Sequence, residues 1–253
     1  MGKIVAVTNQ KGGVGKTTTS INLASCLAKS KHRVLLVDMD PQANTSSGIS
    51  GEGKPGPSIY EGIIGARDAS SLVRETEYEG LDLLASDMNL IGAEVELSQS
   101  DRREFRLKEL LGPIRDRYHF IIIDCPPSLG LLTLNALCAA DSVIVPLQAE
   151  YFALEGISQI VQTLDLVRDG LNPGLKIEGI LMTMCDTRTN LSRQVIAEAI
   201  KFFKEKVYKT VIPRNIRLAE APGFGKPIIY YDMRSQGAEK YLEFTGEFLK
   251  ANA

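Results

Sequence analysis

The 253-residue sequence predicts an α/β protein whose mostly parallel, twisted sheet carries helices on both faces. Three observations predict it. Apolar runs of strand length recur along the whole chain, helical patterns separate most of them, and several runs lack the polar alternation of a half-exposed strand.

The first run, Lys3–Thr8, leads into a Gly-rich turn and a helical stretch to about Lys29. Further strands are expected at Val34–Val37, Leu81–Ala85, Phe120–Ile123, Ser142–Pro146, Ile177–Met182 and Val207–Ile212. The runs at 34–37, 120–123 and 142–146 are apolar throughout, as parallel strands buried on both faces should be. Leu107, Leu110, Leu111 and Ile114 recur at helical spacing, as do Val195, Ile196, Ala199, Phe202 and Phe203. The Gly/Pro/Ser-rich stretch from Ser46 to Ser58 reads as a surface loop, because the α/β pattern resumes directly beyond it. One domain over residues 1–253 is therefore expected.

Composition narrows the class. The chain is 44% hydrophobic and 24% charged, with a mean hydropathy of −0.03, as in globular proteins. No apolar run approaches the roughly 18 residues of a membrane span. The N-terminus enters a strand without room for a secretory signal, and Ala6 stands where a myristoylation motif needs Ser or Thr. Cys26, Cys125, Cys138 and Cys185 form no C-x-x-C pair, and His32 and His119 are the only histidines. Small buried thiols in a reducing cytoplasm are expected, not a zinc site or a disulfide framework. A net charge of −2 leaves nucleic-acid binding to a local patch.

Strand Lys3–Thr8 is followed by Asn9-Gln10-Lys11-Gly12-Gly13-Val14-Gly15-Lys16-Thr17-Thr18. Glycines let successive N–H groups curl toward phosphate oxygens, and the following helix adds its positive N-terminal end. Lys16 can reach β- and γ-phosphates, and the Thr17 hydroxyl can ligate Mg²⁺. This is a P-loop, with Gln10 where the usual first glycine stands and a second lysine, Lys11, beside it. Lys11 is either a solvated lysine or a group that reaches the phosphates of another subunit's nucleotide. Phosphoryl transfer also needs a metal ligand opposite the loop and a group that orients water. Asp124 ends the strand Phe120–Ile123. Asp38 and Asp40 end Val34–Val37, and a continued strand would turn both toward the nucleotide.

The run Lys11–Thr18, with Asp38-Met39-Asp40-Pro41-Gln42-Ala43-Asn44 and Ile123-Asp124-Cys125-Pro126-Pro127-Ser128-Leu129, resembles the ParA/Soj family of deviant-Walker ATPases. Those proteins segregate bacterial chromosomes and plasmids. The resemblance continues through residues 149–156, 187–191 and 212–222, and is to the small chromosomal type. It implies Mg-ATP as cofactor and a homodimer with two ATP molecules sandwiched between subunits. Gly12, Gly13, Val14, Gly15, Lys16, Thr17 and Thr18 would bind the nucleotide. Lys11 would contact the partner's phosphates, with Gly12 at the dimer face. Asp40 would orient the hydrolytic water, and Asp124 would hold magnesium through water. Pro213 and Asn215 would lie at the adenine. Arg188 and Arg217 would carry non-specific binding to double-stranded DNA, and a ParB-type protein would stimulate hydrolysis. Cytoplasmic, nucleoid-associated localisation follows from the same resemblance.

The segment from Asp186 to Glu220 carries eight Lys/Arg against four Asp/Glu, a local charge of +4 in a chain of −2. Such a segment suits salt-sensitive phosphate contact, although a solvated helix face is the commoner cause. Tyr230 and Gln236 stand where relatives often have Arg. Two alternatives share the scaffold. A membrane-surface ATPase of the MinD kind would end in a basic amphipathic helix, whereas residues 237–253 carry Glu239, Glu243 and Glu247 against Lys240 and Lys250, so no stable membrane association is expected. A metabolic or electron-transfer enzyme like the nitrogenase iron protein would need cluster-ligating cysteines between subunits.

Overall fold

Alternate residues of each central strand feed two separate apolar cores, and this period of two makes the molecule three-layered. The computed structural model describes residues 1–50, 56–150, 153–186 and 188–252. Tyr151, Phe152 and Thr187 of the family-like runs lie outside the described residues. The first half contains β1 (Lys3–Val7), α1 (Lys16–Lys29), β2 (Val34–Asp38), α2 (Asn44–Ser50), α3 (Ile59–Ile63) and α4 (Ala69–Leu72). It continues with β3 (Arg74–Glu75), β4 (Leu81–Leu84), α5 (Leu90–Glu96), α6 (Arg106–Leu111) and β5 (Phe120–Asp124). Then come α7 (Leu131–Ala139), β6 (Ser142–Gln148), α8 (Ala153–Gly170), β7 (Lys176–Cys185) and α9 (Asn190–Phe203). The chain closes with β8 (Val207–Pro213), α10 (Ile216–Glu220), α11 (Ile228–Tyr231) and α12 (Gln236–Ala251).

The sheet order is β3-β4-β2-β5-β1-β6-β7-β8, parallel except for β3 against β4. Ile4, Ala6, Leu35, Val37, Ile121 and Ile123 face one core with the side chains of α3 and α5–α9. Val5, Val7, Val34, Leu36, Phe120 and Ile122 face the other with α1, α2 and α10–α12. The apolar face of α12, formed by Tyr241, Phe244 and Phe248, is fully inside this second core. Its Glu247 accepts from the Lys209 and Thr210 N–H groups, at 2.8 Å each, on the outermost strand β8. That contact occupies backbone donors an edge strand would otherwise leave open.

All seven expected strands form, with ends displaced by up to three residues. The polar two-residue β3 carries no apolar signal and was not expected. Two expectations need correction. Of the expected Ser46–Ser58 loop, residues 46–50 belong to helix α2, residues 51–55 lie outside the described residues, and Ser58 is the buried cap of α3, its N–H donating to Glu61 Oε2 at 2.8 Å. Tertiary hydrogen bonds from Thr45 and Ser46 (below) override the loop-like composition. On α9 the buried face is Ser192, Val195, Ala199 and Phe203, while Phe202 is 58% exposed and rests edge-on against Phe203. Two adjacent residues on a helix point about 100° apart, so only one can join a narrow core stripe.

Candidate functional site

Central strand β1 lies between β5 and β6, where successive strands begin to add in opposite directions. In open α/β sheets the crevice at such a switch point is the usual ligand site. The loop leaving β1 is pinned on both sides. Asn9 Nδ2 donates to the Pro146 carbonyl at 2.8 Å, and Lys11 N donates to Asn9 Oδ1 at 2.9 Å. From β7, Thr183 Oγ1 donates to the Val14 carbonyl at 2.8 Å. Gly13 (φ 73°) and Gly15 (φ 88°) occupy the left-handed region that disfavours any side chain, and Gly15 caps α1. Gly12 has no such need, and a Cβ built there meets nothing within 4 Å among the described residues.

Lys16 is buried, with its ammonium donating to the Lys11 carbonyl at 3.2 Å. Desolvation lowers its pKa, opposed chiefly by the nearby Asp124. Asp124, fully buried at the end of β5, accepts three hydroxyls: Thr17 Oγ1 at 2.8 Å, Thr45 Oγ1 at 2.7 Å and Ser20 Oγ at 2.9 Å. Burial raises its pKa, and those hydroxyls hold it down. Thr17 and Asp124, expected together as metal ligands, are thus within hydrogen-bond reach. They are hard oxygen donors of the kind magnesium takes.

Asp38 and Asp40 divide rather than act alike. Register pairs Asp38 with Asp124, so Asp38 is fully buried, accepting Asp40 N (3.1 Å), Ser46 N (2.8 Å) and Ser46 Oγ (2.8 Å). Desolvation, with the Asp124 charge adding, pushes its carboxyl up to about 7. The expectation that both carboxylates turn the same way required the strand to continue, and β2 ends at Asp38, so strand alternation does not extend to Asp40. The Asp40 carboxylate accepts only Gln42 N, at 3.0 Å, among the described residues.

Lys11 is exposed, but it is not free of partners within its own chain. Its ammonium pairs with Glu150 at 2.8 Å, and Glu150 also accepts Gln148 Nε2 at 2.6 Å. A cleft of about 270 Å³ beside the loop is lined by Gly15, Thr18, Met184, Pro213 and Asn215, among others. Asn215 Oδ1 accepts Leu218 N at 3.3 Å, so this residue also caps α10. Arg188 is held by both oxygens of Asp186, at 2.8 and 2.7 Å, and Arg217 pairs with Glu220 at 2.9 Å and Asp232 at 3.5 Å. Arg188 pulls the Asp186 carboxyl down to about 2. Tyr230 stacks on Tyr78, with ring centroids 4.4 Å apart, and Gln236 opens α12. Ser20, Thr45, Ser46 and Glu150 were not expected at the site. Their hydroxyls and carboxylate carry no local signal, since their partners are distant in sequence.

A loop pinned around a buried lysine, facing a hydroxyl–carboxylate pair at the next strand's end, makes this a P-loop NTPase. Residues 2–177 match the family model described as an AAA domain. The chain is 54% identical over 251 residues to the chromosome partitioning protein ParA of Myxococcus xanthus, covering 99% of this chain and 89% of that one. It is 56% identical to the sporulation initiation inhibitor protein Soj of Bacillus subtilis, covering 98% of each. Cobyrinic acid a,c-diamide synthase from Mycobacterium smegmatis, solved with bound ADP and magnesium, has a TM-score of 0.86 at 38% identity, covering 99% and 95%. The chain belongs to the ParA/Soj family of partitioning P-loop ATPases.

Proposed function

We propose that residues 1–253 form one Mg-ATP hydrolase domain that partitions DNA in a bacterial cytoplasm. The observation that carries the reading is the Thr17–Asp124 pair beside buried Lys16. Backbone N–H groups of Gly12–Thr18 and the start of α1 bind the phosphates, and Lys16 neutralises their charge. Thr17 and Asp124 hold magnesium, which when bound offsets charge on the phosphoryl oxygens. Asp40 orients the attacking water. Pro213 and Asn215 border the base.

Lys11 acts across a homodimer, leaving Glu150 for the phosphates of the partner's ATP. Open space at Gly12 supports this, since no contact with the described residues requires a glycine there. Arg188 and Arg217 contact phosphates of non-specific double-stranded DNA on the nucleoid, and a ParB-type protein stimulates turnover. The names carried by the relatives at 54–56% identity support the partitioning role. A membrane-surface role is disfavoured because the core occupies the apolar face of α12.

A decisive experiment is retention on random-sequence DNA with and without ATP, across a salt titration. Retention that requires ATP and falls with salt is expected. Lys16→Ala should give neither retention nor hydrolysis. Asp40→Ala should bind ATP and dimerise but turn over slowly, and normal turnover would remove Asp40 from its role. One observation favours a second reading, a metabolic synthase: the name of the Mycobacterium smegmatis structure. ATP hydrolysis without any ATP-dependent DNA retention would turn the balance toward it.

A further inference from the structure

The amino-terminal edge of the sheet carries a cavity of its own. It holds about 340 Å³ and is lined by Arg33, Glu75, Asp82, Arg117 and Tyr118, among others. That volume lies within the roughly 300–1,000 Å³ of small-molecule sites. Arg33 directly precedes β2 and Tyr118 lies two residues before β5, whereas Asp38 and Asp124 end those strands. Five residues of strand, about 16 Å, therefore separate this cavity from the nucleotide end of the sheet.

Strand register sorts the charges of this cavity by sign. Leu81 and Leu83 face the core shared with α1 and α12, so Asp82 between them points to the opposite face. Glu75 is its direct partner across β3 and β4. Arg33, two residues before Leu35, continues the same face on β2. With the sheet order β3-β4-β2-β5, two carboxylates come first, then Arg33, then Arg117 ahead of β5. Like charges directly opposite on neighbouring strands repel. Burial raises the Asp82 pKa, the Tyr118 hydroxyl donated at 2.8 Å opposes this, and the Glu75 charge adds to the rise. Burial and Asp82 push the Tyr118 hydroxyl up, and Arg117 and Arg33 both counter them, so both guanidiniums lie near that oxygen. Yet no ion pair joins Arg33, Arg117, Glu75 or Asp82 to any partner among the described residues. Scattered surface charges need no partner, but two like pairs facing one cavity leave each side uncompensated.

We infer that this cavity binds a short peptide with free termini, a dipeptide in size, its carboxylate between Arg33 and Arg117 and its ammonium between Asp82 and Glu75. Both ends are then held by charge-assisted hydrogen bonds. Length selects the ligand. Two strand spacings, about 10 Å, separate the centre of one charge pair from that of the other. An extended dipeptide covers roughly 7 Å, and a hydrogen bond of about 2.8 Å closes the remainder. A single amino acid, about 3.5 Å long, reaches one pair only. The inference stands apart from the nucleotide reading, because the two sites occupy opposite ends of the same strands.

The probes are glycylglycine, alanylalanine and glycylserine, titrated into the full chain by calorimetry. At least one should bind with a Kd of about 1 mM or tighter. For that dipeptide, affinity should fall about tenfold or more in Arg33→Gln/Arg117→Gln and in Glu75→Gln/Asp82→Asn. Acetylating its amine or amidating its carboxyl should cost as much in the parent, a result that owes nothing to the folding of a variant. Mg-ATP should not displace it. Binding by none of the dipeptides overturns the proposal, as does unchanged affinity in either variant or for either blocked form. Equally tight binding of free alanine or inorganic phosphate would make the cavity a simple anion site and overturn it too. Displacement by Mg-ATP would put the dipeptide in the nucleotide cleft, with the same consequence. Failure of the parent to bind Mg-ATP, with dipeptide binding intact, would fault the nucleotide reading alone.

Discussion

At the scale of single residues, the two carboxylates at the end of β2 have different surroundings. Asp38 is enclosed and satisfied by Ser46 and the Asp40 N–H, whereas Asp40 keeps acceptor capacity at the site. Because Asp38 titrates near 7 when folded but in the ordinary aspartate range when unfolded, the native state holds a proton that the unfolded chain has lost between those values. Stability should therefore fall as pH rises toward about 7, by at most about 1.4 kcal/mol per pH unit from this group. Urea unfolding from pH 5 to 8 should show a shallower decline in Asp38→Asn, with a remainder from Asp124, which shifts in the same direction. Identical slopes would mean that Asp38 is ionised throughout. The lysines are also separated by environment. Lys16 points into the loop, while Lys11 is held outward by Glu150. Glu150→Gln should release Lys11, so ATP-dependent dimers, followed by light scattering, should form at lower ATP concentration than in the parent.

Among elements, α2 connects most of the site. Thr45 reaches Asp124 and Ser46 reaches Asp38, so one turn of helix links the ends of β5 and β2. Its Gly48 lies against α1 and the segment after α10, where a Cβ would stand 2.8 Å from Ile21 Cδ1 and 3.5 Å from Pro222 Cβ. Thr45→Val removes a hydrogen bond to a fully buried carboxylate and should cost about 1.5–3 kcal/mol in urea unfolding. A loss below about 0.5 kcal/mol would show the bond to be replaceable. This helix was illegible in the sequence because Asn-Thr-Ser-Ser-Gly has the composition of a turn. Its stabilising partner Asp124 lies 79 residues further along the chain. The P-loop was legible because its glycines answer a local backbone demand, at Gly13 and Gly15, that no distant contact creates.

For the whole molecule, the proposed DNA binding sets a chain of net charge −2 against an acidic polymer. Arg188 and Arg217 are both neutralised by carboxylates on their own chain, so the +4 segment offers less free charge than its composition suggests. In the proposed function, DNA phosphates would have to compete with Asp186 and Glu220 for these arginines. Both pairs are exposed and screened, so the exchange is cheap. Asp186→Asn should strengthen ATP-dependent DNA retention and shift its salt midpoint upward, whereas Arg188→Glu and Arg217→Glu should weaken retention. If neither arginine variant differs from the parent, the patch lies elsewhere.

The sequence by itself determined the α/β class, the seven longer strands, the loop with Lys16 and Thr17, and Asp124 at a strand end. Each of these rests on local periodicity or on backbone geometry over a few residues. Tertiary structure alone decided that Asp38 is buried against Ser46, that α2 is a helix, and that Lys11 and the two arginines are held by carboxylates. Lys11 and Glu150 stand 139 residues apart in the chain. Burial and pairing arise when the sheet brings such positions together, and no short window of sequence contains both partners.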